Sequence, residues 1–127
     1  MSRITNLSSA LTIIQSELKN LIQSIDLDSN LGSIKCVLND SSILFIRYNN
    51  YNEYSYNLIF SNIKYDRVRF DNFDDTWNVS TRPNHFHPRN SKNGFDSPMK
   101  GNPKFDIPIL VDLIQKNSLN DPQIRFN

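Results

Sequence analysis

Residues 34–48 read IKCVLNDSSILFIRY, two runs rich in β-formers divided by Asn39, Asp40 and Ser41. Ile34, Cys36 and Leu38 alternate with Lys35 and Val37, so the first run has one apolar face, and the intervening Asn-Asp-Ser supplies turn chemistry. The second run, from Ile43 to Tyr48, folds back naturally as the other arm of a hairpin. The same pattern recurs downstream. A polar turn from Asn49 to Glu53 leads into Tyr54, Tyr56, Leu58 and Phe60 on one face, and Val68 and Phe70 then alternate with Arg67, Arg69 and Asp71. Connections this short cannot hold the crossover that parallel strands require, so the sequence predicts an antiparallel meander of about four strands.

Upstream, Leu7, Leu11, Ile14, Leu18, Leu21, Ile22 and Ile25 recur at helical spacing, with Gln15, Glu17, Lys19 and Gln23 between them. The spacing predicts an amphipathic helix over about 7–25, capped by Thr5 or Asn6 and stopped by turn formers in 26–32. It lays one face on the sheet. Downstream, residues 73–104 carry Pro83, Pro88, Pro98 and Pro103 with few aliphatics, which predicts a long loop, flexible and basic over about 78–104. A C-terminal helix follows, capped by Asp106 with Pro108 in its first turn, and Ile107, Leu110, Val111 and Ile114 form its apolar face. Residues 118–127 read as a loose tail. The expectation is a single α+β domain over 1–127: helix, antiparallel sheet, long loop, helix.

Length and composition agree with one domain, and 38% hydrophobic against 21% charged residues argues against a disordered chain. A net charge of +1 excludes a broadly polybasic nucleic-acid binder. The balance is uneven, however: residues 66–81 sum to −2 and residues 82–104 to +4. Cys36 is the single cysteine, which rules out an intrachain disulfide and a multi-cysteine metal knuckle, and its apolar neighbours suit a buried thiol. The opening residues do not read as a secretory signal, and no apolar run approaches the ~20 residues of a membrane span. A cytoplasmic protein without membrane contact is expected.

Chemistry concentrates between Arg67 and Arg89. This stretch holds both histidines, the single tryptophan Trp77 and four of the seven arginines. In an extended backbone His85 and His87 point to one side while Phe86 faces the other. Two imidazoles so placed suit proton transfer near neutral pH, or a pair of metal ligands. Arg69 and Asp71 share the face opposite Phe70. They read either as a surface ion pair or as a phosphate-binding arginine beside a carboxylate that fixes a histidine tautomer. Arg67, Arg82, Arg89 and Lys92 are the candidate nucleic-acid contacts. With only Gly32, Gly94 and Gly101 in the chain, no phosphate-cradling glycine loop, dinucleotide fingerprint or nucleophile elbow exists, and no cofactor is expected.

The order Tyr54-Ser55-Tyr56, Arg69-Phe70-Asp71-Asn72 and Asn84-His85-Phe86-His87 resembles the TumE family of small toxin-antitoxin proteins, over roughly residues 34–115. The positions that match the family's pattern are Arg69, Asp71, Asn72, His85 and His87. The chain departs from it at Phe73, Asp74, Asp75, Thr76 and Asn84, where the family commonly carries histidines. That leaves a minimal histidine pair supported by Arg69 and Asp71. The resemblance implies a toxin neutralised by a cognate antitoxin protein.

From the residues, the expected chemistry is metal-independent cleavage of RNA. His85 and His87 would exchange protons with the ribose hydroxyl and the leaving oxygen, while Arg69 and Arg82 steady the phosphate. Two other classes stay open. One is a non-catalytic module whose 73–104 loop docks a protein or nucleic acid, and the other is a metal-dependent hydrolase using His85, His87 and Asp71.

Overall fold

A computed structural model describes residues 2–127. The chain runs α1 (Arg3–Glu17), β1 (Ile22–Asp28), β2 (Ser33–Leu38), β3 (Ile43–Tyr48), β4 (Tyr54–Ile59), β5 (Arg67–Asp71), β6 (His85–His87), β7 (Phe95–Asp96), α2 (Pro103–Gln115) and a 3₁₀ turn at Ser118–Asn120. The class is α+β, as the alternation predicts. All seven strands form one antiparallel sheet in chain order, so each pairs with its sequence neighbour.

The four-strand expectation covers β2 to β5 and falls short by three. The first shortfall is at the N-terminal helix, which ends at Glu17 rather than near Ile25. Leu18 caps it, with its amide donating to the Ile14 carbonyl, and Leu21 donates back to Leu18 to close the turn. Ile22 and Ile25 belong instead to edge strand β1, whose register against β2 is interrupted once between Ile22 and Ser24. The helical spacing is genuine but coincidental there: pairing with β2 satisfies the backbone groups of 22–28 better than an unsupported extension of the helix. The N-cap is Ser2, whose hydroxyl accepts from the Thr5 amide.

The other two strands lie in the stretch read as a loop. β6 and β7 are three and two residues long, and β6 extends the sheet beyond β5. The C-terminal helix starts three residues before Asp106, capped by Asn102 with Pro103 in its first turn. Pro108 therefore sits inside the helix. Its ring removes an amide at position 108, whose usual acceptor would be the carbonyl of Lys104 in the first turn.

Both helices cover the same side of the sheet. Ile34, Cys36, Leu44, Ile46, Tyr56, Val68, Phe70 and Phe86 point into the core from the strands, and Leu7, Ala10, Ile14, Ile107 and Leu110 meet them from above. Burial drives the Cys36 thiol up to about 11, so it stays protonated. A polar seam crosses this core. The Tyr56 hydroxyl donates to Asp106 at 2.7 Å and lies 2.9 Å from the Tyr48 hydroxyl. Asp106 also accepts from the Lys100 and Gly101 amides, tying the approach to α2 onto the sheet. Residues 118–127 are folded against the same layer: Leu119 is buried, and the Phe126 ring packs on Phe86 and Phe70. No helix among the described residues is long and apolar enough to cross a membrane.

Candidate functional site

Strand alternation places the polar constellation on the side of the sheet that the helices leave bare. Phe70 and Phe86 pair in register and bury, stacked 4.7 Å apart. The flanking positions must therefore face the other way. Across β5 and β6 this sets Asp71 opposite His85 and Arg69 opposite His87. The His-Phe-His spacing thus does what an extended backbone requires of it. The two imidazoles stand side by side, edge to face, with ring centres 4.9 Å apart.

His85 is held at both nitrogens. Its Nδ1 lies 3.1 Å from the Pro83 carbonyl and its Nε2 2.7 Å from Asp71 Oδ1, with both side chains almost fully buried. The second oxygen of Asp71 accepts from Arg69 Nε. Burial alone would raise the Asp71 carboxyl, but the His85 bond and the Arg69 charge outweigh it and hold it below its ordinary range. Burial likewise opposes charge on His85, and the Asp71 bond overcomes it, so the His85 pKa is raised. The imidazolium form, donating from both nitrogens, fits this geometry.

His87 differs. Its Nδ1 donates to the Asn93 carbonyl at 3.0 Å, which fixes the tautomer and leaves Nε2 without a hydrogen bond among the described residues. Burial, then the neighbouring His85 charge, lowers its pKa, so the ring is neutral at neutral pH. The pair is therefore pushed apart in proton affinity, His85 toward the charged form and His87 toward the neutral form whose Nε2 is free to accept.

A cleft of about 310 Å³ opens over this pair, lined by Tyr65, Arg67, Arg69, Asp71, Phe73, Asp74, Trp77, His85, His87 and Lys92. Trp77 stands edge-on to His87 with ring centres 5.4 Å apart, and is backed by Gly94, where a Cβ would come within 2.7 Å of the indole. Arg67 is steadied by the Pro88 and Ser91 carbonyls and lies over the Tyr65 ring.

The fold thus gathers His85, His87, Arg69, Asp71, Arg67 and Lys92 into one cleft. Arg82 and Arg89 are not among its lining residues. Arg82 pairs with Asp75 at the surface, while Arg89 binds Asp66 at 2.6 Å and lies over the Phe60 ring. Tyr65, Phe73 and the orienting carbonyls of Pro83 and Asn93 were not singled out from the sequence. A carbonyl is common to every residue, so only the three-dimensional path of the chain identifies these two.

The donor atoms of Asp71, His85 and His87 all lie within 4.8 Å of one another, close enough to share a metal ion. Ligation would require His85 Nε2 and Asp71 to give up their mutual bond, beside the fixed charge of Arg69. The donor set fits a metal in spacing but is already closed on itself by hydrogen bonds.

No curated protein and no solved structure matches the chain. A family model described as toxin TumE does match, over residues 11–115, a span that takes in every residue lining the cleft, both histidines included, and the whole sheet besides. With that much of its length matched, and the Arg-Phe-Asp-Asn and His-Phe-His segments paired across β5 and β6, the chain belongs to the TumE toxin family.

Proposed function

We propose that this toxin acts by cleaving RNA without a metal, using His87 as the proton acceptor. The observation that carries the reading is the open Nε2 of a neutral His87 inside a cleft walled by Arg67, Arg69 and Lys92. Three cations around one basic nitrogen suit a phosphodiester whose neighbouring hydroxyl must lose a proton.

In this reading His87 Nε2 takes the proton of the ribose 2′-hydroxyl. The 2′ oxygen then attacks phosphorus, the bond to the 5′ oxygen breaks, water entering the open cleft protonates the leaving oxygen, and the hydroxide so formed takes back the proton from His87 Nε2 as water. Arg67 and Lys92 meet the phosphoryl oxygens as charge builds on them. His85 takes no part in proton transfer, because both of its nitrogens are occupied, and serves instead as a fixed positive charge beside the reacting phosphate. Asp71 and Arg69 hold it there. A cognate antitoxin that silences the toxin belongs to the same reading.

The test is cleavage of a labelled oligoribonucleotide by purified protein in excess EDTA. Cleavage should persist, end in a 2′,3′-cyclic phosphate, fail on a strand with 2′-deoxyribose throughout, and fall at least ~100-fold in His87→Gln. Cleavage that vanishes in EDTA and returns with a divalent ion would transfer the site to the metal-dependent reading.

A further inference from the structure

The helices cover one side of the sheet only, and away from the cleft the bare side carries apolar side chains among its polar ones. An antiparallel sheet with one wet face ordinarily alternates apolar-in with polar-out. Here Val37, Ile43 and Ile59 align in register across β2, β3 and β4 as a continuous apolar row on the outer face. Beside it runs a second row, Lys35, Phe45, Asn57, Arg69 and His87, which ends in the cleft. Between Phe45, Ile59 and the overhanging Leu31, itself 64% exposed, the surface sinks into a groove of about 330 Å³. Apolar surface collected into a groove marks a docking site more often than scattered exposed residues do.

Charge identifies the occupant. Lys35 and Arg47 are exposed on this face and neither closes an ion pair among the described residues. Asp26 sits opposite Lys35 in register without forming one, and Asp28 lies at the same outer edge on β1. Over β2 to β5 the one carboxylate on this face is Asp71, which is buried and engaged by Arg69 and His85. An apolar groove flanked by unpaired cations fits a segment that is both apolar and acidic. From β2 to β6 there are four inter-strand steps of ~4.8 Å, roughly 19 Å, which about 13 residues of helix would span.

We propose that the bare face of β2–β5 is where the neutralising protein docks, through an acidic amphipathic segment that lies along these rows and closes the cleft over His87. This rests on the chain being a toxin and not on the chemistry of the cleft. Lys35, Phe45 and Arg47 belong to no part of the proposed reaction.

The experiment begins with induced expression and selection, from a library of the source genome, of the clone that restores growth. Lys35→Glu/Arg47→Glu and Phe45→Glu are then tested against that rescuing protein, with Lys104→Glu, exposed on α2, as a control. Both face variants should stay toxic, which also shows that they fold, and should keep the RNA cleavage of the parent. Both should escape rescue and bind the rescuing protein about 100-fold more weakly, and binding of the parent should weaken with salt. The control should be rescued. Full rescue of both face variants overturns the proposal, as does a rescuing protein without an acidic segment or the failure of any clone to rescue. Loss of toxicity with unchanged binding would assign the face to the toxin's target instead. Absence of RNA cleavage in the parent, with escape from rescue intact, sinks the nuclease reading and leaves this one standing.

Discussion

Asp71 Oδ1 lies 2.7 Å from His85 Nε2 across the β5–β6 pair, in a position where both side chains are almost wholly buried. A buried ion pair is weak evidence of net stabilisation, yet removing one partner is costly because the other is left uncompensated. Here Asp71 also accepts from Arg69 and from the Phe73 amide, so it anchors the end of β5 as well as the histidine.

Asp71→Asn should therefore destabilise the fold by about 3 kcal/mol near pH 6, read from denaturant unfolding. The pH dependence has a definite sign. The folded pKa of His85 is raised, so its contribution is complete below about 6.5 and is lost as pH rises through the folded value. The folded pKa of Asp71 is lowered, so its contribution is present above about 3.9 and is lost as pH falls through the folded value. The gap between parent and variant should be widest from about pH 4 to 6.5 and narrow on both sides. A gap that stays flat from pH 4 to 9 would mean that the pair is not ionic.

Trp77 is the sole tryptophan and stands against His87, which makes the indole a reporter of that ring. A protonated imidazole quenches a neighbouring indole, and the lowered pKa of His87 puts its protonation below about 6.5. Trp77 fluorescence should hold steady from pH 8 downward and then fall with a midpoint under 6.5. His87→Gln should remove that step. His85 lies farther off, at 6.3 Å, and a surviving step in His87→Gln would reassign the signal to it.

What the sequence discloses of this site, and what it conceals, divides by range. Alternation within a strand is local, so the shared face of Arg69 and Asp71, and of His85 and His87, follows from spacing alone. The meeting of the two segments does not. Residues 72–84 intervene, and β6 is too short, and too closely bracketed by Pro83 and Pro88, to announce itself by propensity. The helical reading of 18–25 failed for a related reason: the apolar spacing fits a helix, and only the availability of β2 as a partner favours a strand. Asp106 reads as a helix cap because capping is local. Its role as acceptor for Tyr56, fifty residues away, has no local signature.

Phe126 gives the far end of the chain a part in holding the site. Its ring stands edge-on to Phe86 at 4.9 Å and lies 5.8 Å from Phe70. Phe86 is the residue between the two histidines, so the terminal segment backs the strand whose opposite side forms the cleft. Phe126 is only partly buried, so Phe126→Ala should cost about 1–2 kcal/mol, less than the 3–5 of a fully enclosed phenylalanine. Ile63→Ala, at a side chain 70% exposed, is the control and should stay within about 0.5 kcal/mol. If the terminal segment supports β6, Phe126→Ala should also blur the Trp77 fluorescence step, because the spacing of His87 from the indole is no longer fixed. Equal stability loss in the two variants, with the fluorescence step unchanged, would show that β6 holds its position without the terminal segment.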